Sequence, residues 1–340
     1  MKEIKIQTLY EYVIQIMTAC GMTKENAETA ADVFLRATLR GVGHHDIYDF
    51  ASRVKRLKDG KAVPNPVYTK LSAFGGMESY DAGNGLGEVV CSFAMERAME
   101  LADEHGIGLV ALRNTNHFLA AAPYVEAAAE KGYIGLLLCK GAPSMGAPGK
   151  AGAAMSALPM GFAYPTDEDF PVMLDICLAY ASYGQLMQRV KLGQSIPHWW
   201  GFDENGEPST DPDAVAKGTR APVGGHKGFG LAMLGETLTG VLSNGCVLDE
   251  TVTPDGVKNH SSHTAIAIKA DALMDLSEFK TRAGDLNRHT RTLSPGVHLP
   301  GEGSRDAKRR FEEGGVIPLE DGLVEELQKI ADECGVAPLL

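Results

Sequence analysis

The stretch GVGHHDIYDF, residues 41–50, sets His44 and His45 beside Asp46 and Asp49. Imidazole is the side chain whose ordinary pKa lies closest to neutrality. A nearby carboxylate favours its charged form and a helix N-terminus opposes it. Such a pair suits proton transfer to or from a reacting oxygen or nitrogen. Three readings are open on the residues alone. In the first, His45 moves a proton and Asp49, four residues on, faces it across a helical turn. In the second, His44, His45 and Asp49 hold a metal ion. In the third, the stretch is a polar helix start with solvated side chains. Two more histidines have suggestive company. His117 follows the apolar run GIGLVALR, and ligand-binding groups in α/β sheets gather beyond the carboxyl ends of strands. His226 and Lys227 lie in GGHKGFG, a glycine-rich turn entering a helix, where free N–H groups and an ammonium suit a phosphate or carboxylate.

The elements that must position these groups follow from periodicity. Leu9, Val13, Ile14 and Met17 share a helical face over 7–20. Thr23 caps a second helix whose buried side carries Ala30, Val33, Phe34 and Ala37. Asp46 caps a third, with Ile47, Phe50, Ala51, Val54 and Leu57 inward and Gly60 as its stop. Proline-bracketed VPNPV then breaks the helical texture. The segment KLSAFGGMESYDAGNGLG reads as short strands and turns, 89–105 as a helix, GIGLVALR as a buried strand, 119–131 as a helix and GYIGLLLCK as another buried strand. GFAYP and PVMLDIC read as two more strands. This alternation between about residues 75 and 180 indicates an α/β domain. From 226 a helix is expected with Leu231, Leu234, Leu238 and Leu242 on one side. HTAIAIKA reads as a strand, 273–289 as a helix, SPGVHLPGEGS as a loop and 318–335 as a short amphipathic helix.

Bulk properties exclude several classes. The chain has 340 residues and a net charge of -12, with no basic run interleaved with aromatics, so no nucleic-acid partner is expected. No apolar run reaches the length of a bilayer span, and the start MKEIKIQTLY has no signal core, so a cytoplasmic protein without a membrane partner is expected. The six cysteines are scattered without a CxxC pair, which favours reduced thiols over a zinc knuckle. GNGLG at 83–87 is too compact for a dinucleotide fingerprint, and neither a P-loop, a GxSxG elbow nor HExxH is present.

Six segments carry a likeness over nearly the whole chain: Gly41–Val42 followed by His45, ELADEHGIGLVALRNTNHF at 100–118, LPMGFAYP at 158–165, VMLDICLAYASYG at 172–184, GGHKGFGLAML at 224–234 and LPGEG at 299–303. On these the chain resembles the malate/L-lactate dehydrogenase family of NAD(P)-dependent oxidoreductases. The resemblance implies an α/β protein with a non-Rossmann, mixed-sheet dinucleotide-binding domain at 73–224. A mainly helical substrate and dimer domain would be built from 1–72 with 225–340. It implies hydride transfer between a nicotinamide and a carbonyl, hydroxyl or imine carbon of a small polar metabolite, with His45 as general acid/base.

By position, the resemblance assigns His117 to the catalytic centre with His45, and we add Asp49 as the group that orients His45. Val172, Met173, Leu174, Asp175, Ile176 and Cys177 match the strand along the dinucleotide. His226 and Lys227 match a nicotinamide- or phosphate-side loop, and Gly301, Glu302 and Gly303 match the loop at the adenosine end. His44, Tyr48 and Leu158 are expected near the substrate, no resident metal is expected, and a homodimer completing the site between subunits is implied. NAD is the expected cofactor. NADP is open because Arg305, Lys308 and Arg309 follow the PGEG loop, and a 2′-phosphate wants a basic contact.

The departures bear on substrate. His44 stands at the motif's serine, Asp46 at its glycine, Asp49 at an arginine that pairs with substrate carboxylate, and Ser156, Ala157 and Leu158 at Gly-Thr-Asn. Exchanging arginine for aspartate replaces an anion receptor with an anion repeller. A cationic or neutral polyol-like substrate is expected, or a carboxylate held by Lys140 or Lys227. The alternatives are a metal-dependent hydrolase or lyase using His44, His45 and Asp49, and a non-catalytic relative.

Overall fold

The computed structural model describes residues 1–41, 43–147, 150, 152–253 and 260–339. Val42 of the Gly41–Val42 pair lies outside them. The chain opens with β1 (Lys2–Lys5), α1 (Ile6–Ala19) and α2 (Lys24–Leu39), then a 3₁₀ turn at Ile47–Asp49 and α3 (Phe50–Lys58). Next come β2 (Thr69–Phe74), β3 (Met77–Gly85), α4 (Gly87–His105), β4 (Ile107–Thr115), α5 (Ala122–Glu130) and β5 (Tyr133–Lys140). Short β6 (Met145–Gly146) and β7 (Ala153–Met155) precede β8 (Met160–Tyr164) and β9 (Val172–Ile176). An excursion holds α6 (Tyr183–Lys191), β10 (Gly201–Phe202), α7 (Pro212–Lys217) and β11 (Thr219–Arg220). The chain ends with α8 (His226–Glu236) and its π-helical extension Thr237–Val241, then β12 (Ser261–Lys269), α9 (Leu276–Leu293), α10 (Glu302–Gly314), β13 (Val316–Leu319) and α11 (Asp321–Cys334).

Among the described residues the main sheet has seven strands in the order β2-β3-β4-β12-β5-β8-β9. Only β3 and β4, joined through α4, run parallel; every other neighbouring pair is antiparallel. Helices α4 and α5 pack on this sheet, with α4 against β4 and β12 and α5 against β5 and β8. The sheet is mixed, in keeping with the non-Rossmann architecture. The chain after 225 nevertheless does more than build helices. β12 runs down the middle of the sheet with Ala265 and Ala267 fully buried, so the 224/225 boundary does not separate sheet from helical layer.

Two features near the chain ends escaped the sequence pattern, the β1–β13 pair and α10. β1 and β13 pair with Ile4 opposite Ile317, and strands of four residues with one buried apolar side chain on β1 and two on β13 are too short for alternation to reveal. α10 begins inside the expected Pro/Gly loop, and its run of charged residues hides its period. A third difference concerns α8. Its packed face is made of Gly228, Ala232 and Gly235, small residues that let Leu158 and Val223 approach closely. Leu231, Leu234 and Leu242 are left 52%, 54% and 41% exposed.

Candidate active site

The His44–His45 stretch is a loop, not a helix, and Asp46 holds it. The buried Asp46 carboxylate accepts the Gly43 N–H at 2.7 Å and the Tyr48 N–H at 3.1 Å, capping the 3₁₀ turn as expected. Burial pushes its pKa up against those two bonds. His45 precedes the turn, so residues 45 and 49 do not face each other at helical spacing. Asp49 instead binds Arg53 Nη1 at 2.9 Å and accepts from Ser52 Oγ at 2.8 Å. It acts on His45 through space alone. The pKa of His45 is lowered to about 4, first by burial and then by His44 and Arg53, with Asp49 pulling the other way. Its Nδ1 is buried without a hydrogen-bond partner among the described residues.

His117 lies two residues past the end of β4. The chain there is pinned from three sides. Asn116 Nδ2 donates to Asn84 Oδ1 at 2.9 Å and Gly85 O at 3.0 Å, and its Oδ1 accepts from Arg56 Nη2 at 2.5 Å. The His263 ring, wholly buried on β12, donates from Nε2 to Asn116 O at 2.9 Å. Gly87 opens α4 directly against this loop, and a Cβ there would sit 2.1 Å from His117 O. The glycines at 85 and 87 thus allow close packing against Val90, Pro66 and the His117 loop. The rings of His45 and His117 have centroids 5.3 Å apart, and those of His44 and His45 4.6 Å. Burial and then Arg53 hold His117 well below the ordinary histidine range.

Sequence reasoning missed Arg53 and Glu88. Arg53 is 4% exposed and Glu88 is fully buried, with Nε donating to Oε1 at 2.7 Å. Removing one member of such a pair typically costs about 3–5 kcal/mol, because the other charge is left buried alone. The signal was available: Arg53 falls on the inward stripe of Phe50, Val54 and Leu57, where a charge needs a buried partner.

The cofactor-side expectations separate into parts. On β9, the outer strand of the sheet, Val172 and Met173 are buried, Leu174 and Cys177 half-buried, and Asp175 and Ile176 exposed. Asp175 accepts the Ala122 N–H at 2.8 Å, yet dense surrounding protein pushes its pKa up to about 6. Crowding combined with open surface is the mark of a residue lining a recess. His44 borders the same recess, interacting with Asp175 and packing near Gly184. The 301–303 loop joins β9 directly: Met173 N–H donates to Pro300 O at 3.2 Å. Gly301 has φ +93 and passes so near Met173 that a Cβ would stand 3.1 Å from its carbonyl oxygen. Glu302 is occupied, accepting from Arg291 Nη2 at 2.6 Å and Leu299 N–H at 2.9 Å, so it shapes the loop and has no free oxygen to offer. His226 and Lys227 are exposed at the start of α8, after the left-handed Gly224 and Gly225.

Three of the expected residues have other engagements. Leu158, 1% exposed with φ +40, fills the apolar cluster against α8. Tyr48 packs on the helical core, with its hydroxyl on the Glu320 backbone. Lys140 is wholly buried, donating to Glu236 Oε1 at 3.2 Å and to Cys246 O, and holds no substrate carboxylate. The basic trio is engaged as well. Arg305 lies over the Phe170 ring and pairs with Asp306, Lys308 pairs with Glu126, and Arg309 pairs with Asp169. Among the described residues no three His, Cys, Asp or Glu side chains are grouped to hold a metal ion. A cavity of about 190 Å³ between α2, α4 and α5, lined by Asp32, Glu96 and Lys131, contains none of these histidines. The cluster of His44, His45 and His117 is the candidate site.

Comparison with known proteins agrees with this geometry. The profile of the family described as malate/L-lactate dehydrogenase matches residues 4–328. The chain is 33% identical to 2,3-diketo-L-gulonate reductase of Klebsiella pneumoniae over 275 residues, 80% of this chain and 82% of that one. It is 30% identical to malate/(S)-sulfolactate dehydrogenase of Methanothermus fervidus, over 95% of this chain and 96% of the other. The crystal structure of malate dehydrogenase from Entamoeba histolytica superposes with a TM-score of 0.92 at 27% identity, covering 99% of each chain.

Proposed function

The chain belongs to the malate/L-lactate dehydrogenase family of oxidoreductases, and from that premise we propose that His45 is the acid–base group of its hydride transfer. On oxidation of a hydroxyl, unprotonated His45 takes the proton as the hydride leaves the carbon. On reduction it returns that proton to the developing alkoxide. The observation that carries this reading is the pairing of His45 and His117 in one recess, with His45 kept neutral by burial and its Nδ1 unengaged. Asp49 tunes that proton by charge. Its carboxylate is already paired with Arg53 and offers no cation to a substrate carboxylate. We take the substrate to be a small polar carbonyl, hydroxyl or imine compound. The named relatives act on 2,3-diketo-L-gulonate and on malate or sulfolactate, and the substrate here falls in that size class.

The nicotinamide cofactor, when bound, accepts or supplies the hydride. Residues 172–177 would line it along the outer strand, with Asp175 as a polar contact. The left-handed Gly301 leaves room for close backbone approach beside Gly303. The Gly224–Gly225 turn with His226 and Lys227 offers N–H groups and a cation to phosphate. NAD is favoured over NADP, since Arg305, Lys308 and Arg309 already have partners. Titration with NADH and NADPH, followed by nicotinamide fluorescence, tests this. NADH should bind more tightly, preferential binding of NADPH would reverse the cofactor assignment, and binding of neither would remove the dehydrogenase reading.

The protein is further proposed to be a cytoplasmic homodimer. All six thiols are free, as a reducing compartment allows, and the apolar face of α8 with Leu231, Met233, Leu234 and Val241 lies open. Full burial of a side chain of this size contributes about 1.5–3 kcal/mol, so covering that face is favourable. Sedimentation should give twice the 36.3 kDa chain mass, and a monomer at micromolar concentration would remove the dimer.

A further inference from the structure

Every edge of the Arg53 guanidinium is committed. Nε donates to Glu88 at 2.7 Å, Nη1 to Asp49 at 2.9 Å and to Ser52 Oγ at 2.9 Å, and Nη2 lies 2.8 Å from His117 Nδ1. The Leu119 N–H points at the same nitrogen from 3.1 Å. A guanidinium and a backbone amide are donors only. Nδ1 must therefore be the acceptor of both, and the single proton of the neutral ring sits on Nε2.

We propose that Arg53 is a positioning residue that fixes His117 as its Nε2–H tautomer, so that His117 supplies a hydrogen-bond donor and leaves proton transfer to His45. The partner suited to that donor is the oxygen that gains negative charge as a carbonyl is reduced, since a fixed N–H stabilises such charge without itself exchanging a proton. The assignment rests on the reading of His45 as the acid–base group. Charge around His117 supports it. Arg53 and Arg56 face it from α3, His45 from the preceding loop and His263 from β12, while Glu88 on α4 balances Arg53 and makes no bond to the ring. Two nearby guanidinium charges oppose a second proton on the imidazole. Asp49 and Glu88 clamp the guanidinium from two directions, which gives Asp49 a second role besides its charge on His45.

Long-range proton–nitrogen correlation spectra of histidine-labelled protein read the two ring nitrogens separately. The wild type is expected to show His117 with bare Nδ1 and protonated Nε2, unchanged from about pH 5 to about pH 8. A wild-type His117 carrying its proton on Nδ1 would overturn the proposal. Arg53→Met alone strands Glu88, so the test variant is Arg53→Met with Glu88→Gln, which removes both charges together. In it His117 should titrate within that window or populate both tautomers. The pH–rate profile should gain an ionisation, and kcat should fall roughly tenfold with the KM for nicotinamide little changed. Arg53→Lys keeps the charge without the fork and should restore the pH profile more fully than kcat. A folded double variant with a wild-type His117 spectrum and pH profile would also overturn it. The spectra need no turnover, so their failure is distinct from failure of the His45 reading, which is judged by turnover of His45→Ala.

Discussion

His45 and His117 stand 5.3 Å apart in one recess, and burial drives both toward the neutral form. What holds them differs. His117 follows a strand end and its Nδ1 receives two donors, one of them charged. His45 rides on a loop tied down by Asp46, and its own Nδ1 receives none. The contrast teaches that residue type and depth do not assign a role. On the proposed assignment, two imidazoles that burial keeps neutral become a fixed donor and a movable proton site according to the partner on the far nitrogen.

Exchanging each for alanine tests that contrast most directly. His45→Ala should lose roughly 10²–10⁴ in kcat, the usual contribution of a positioned acid–base group, while binding nicotinamide as tightly as the wild type. His117→Ala should lose less in kcat and keep the acid limb of the oxidation rate, because that limb belongs to His45. Steady-state rates across pH for both variants decide the matter. If His117→Ala erases the limb and His45→Ala retains it, the two roles are reversed.

The sequence made one side of this contrast legible and left the other hidden. The apolar run ending at Thr115 put His117 at a strand end, and the order of six short segments pointed to the fold and to His45. The cap at Asp46 was readable as well. Arg53 went unnoticed because periodicity marks which positions are buried but not which charges meet there, and Glu88 lies 35 residues away. The Asp49 pairing was misread for a related reason: a four-residue spacing implies facing side chains only inside a helix, and the turn begins at Ile47. The leucine stripe of α8 was legible as one side of a helix but not as an open one: small residues supply the close packing, and Leu231, Leu234 and Leu242 stay outside. Pattern alone does not distinguish a face that meets its own core from one that meets another surface.

The smallest expected effect is also the most discriminating, because it separates charge from scaffolding at Asp49. The Asp49 carboxylate raises the pKa of His45 against the burial and neighbouring cations that lower it to about 4. Asp49→Asn removes that support, so the pKa moves further down. A weaker base accepts a proton more slowly. The plateau of hydroxyl oxidation above the acid limb should therefore fall, by about twofold to threefold, and the limb itself should move to lower pH. Arg53 also loses one clamp in this variant, and its less compensated charge acts in the same downward direction. Initial rates of oxidation from acid to neutral pH read the combined shift. A lowered plateau with an unmoved limb would mean that neither charge sets the proton on His45, and that Asp49 serves only to hold the local geometry.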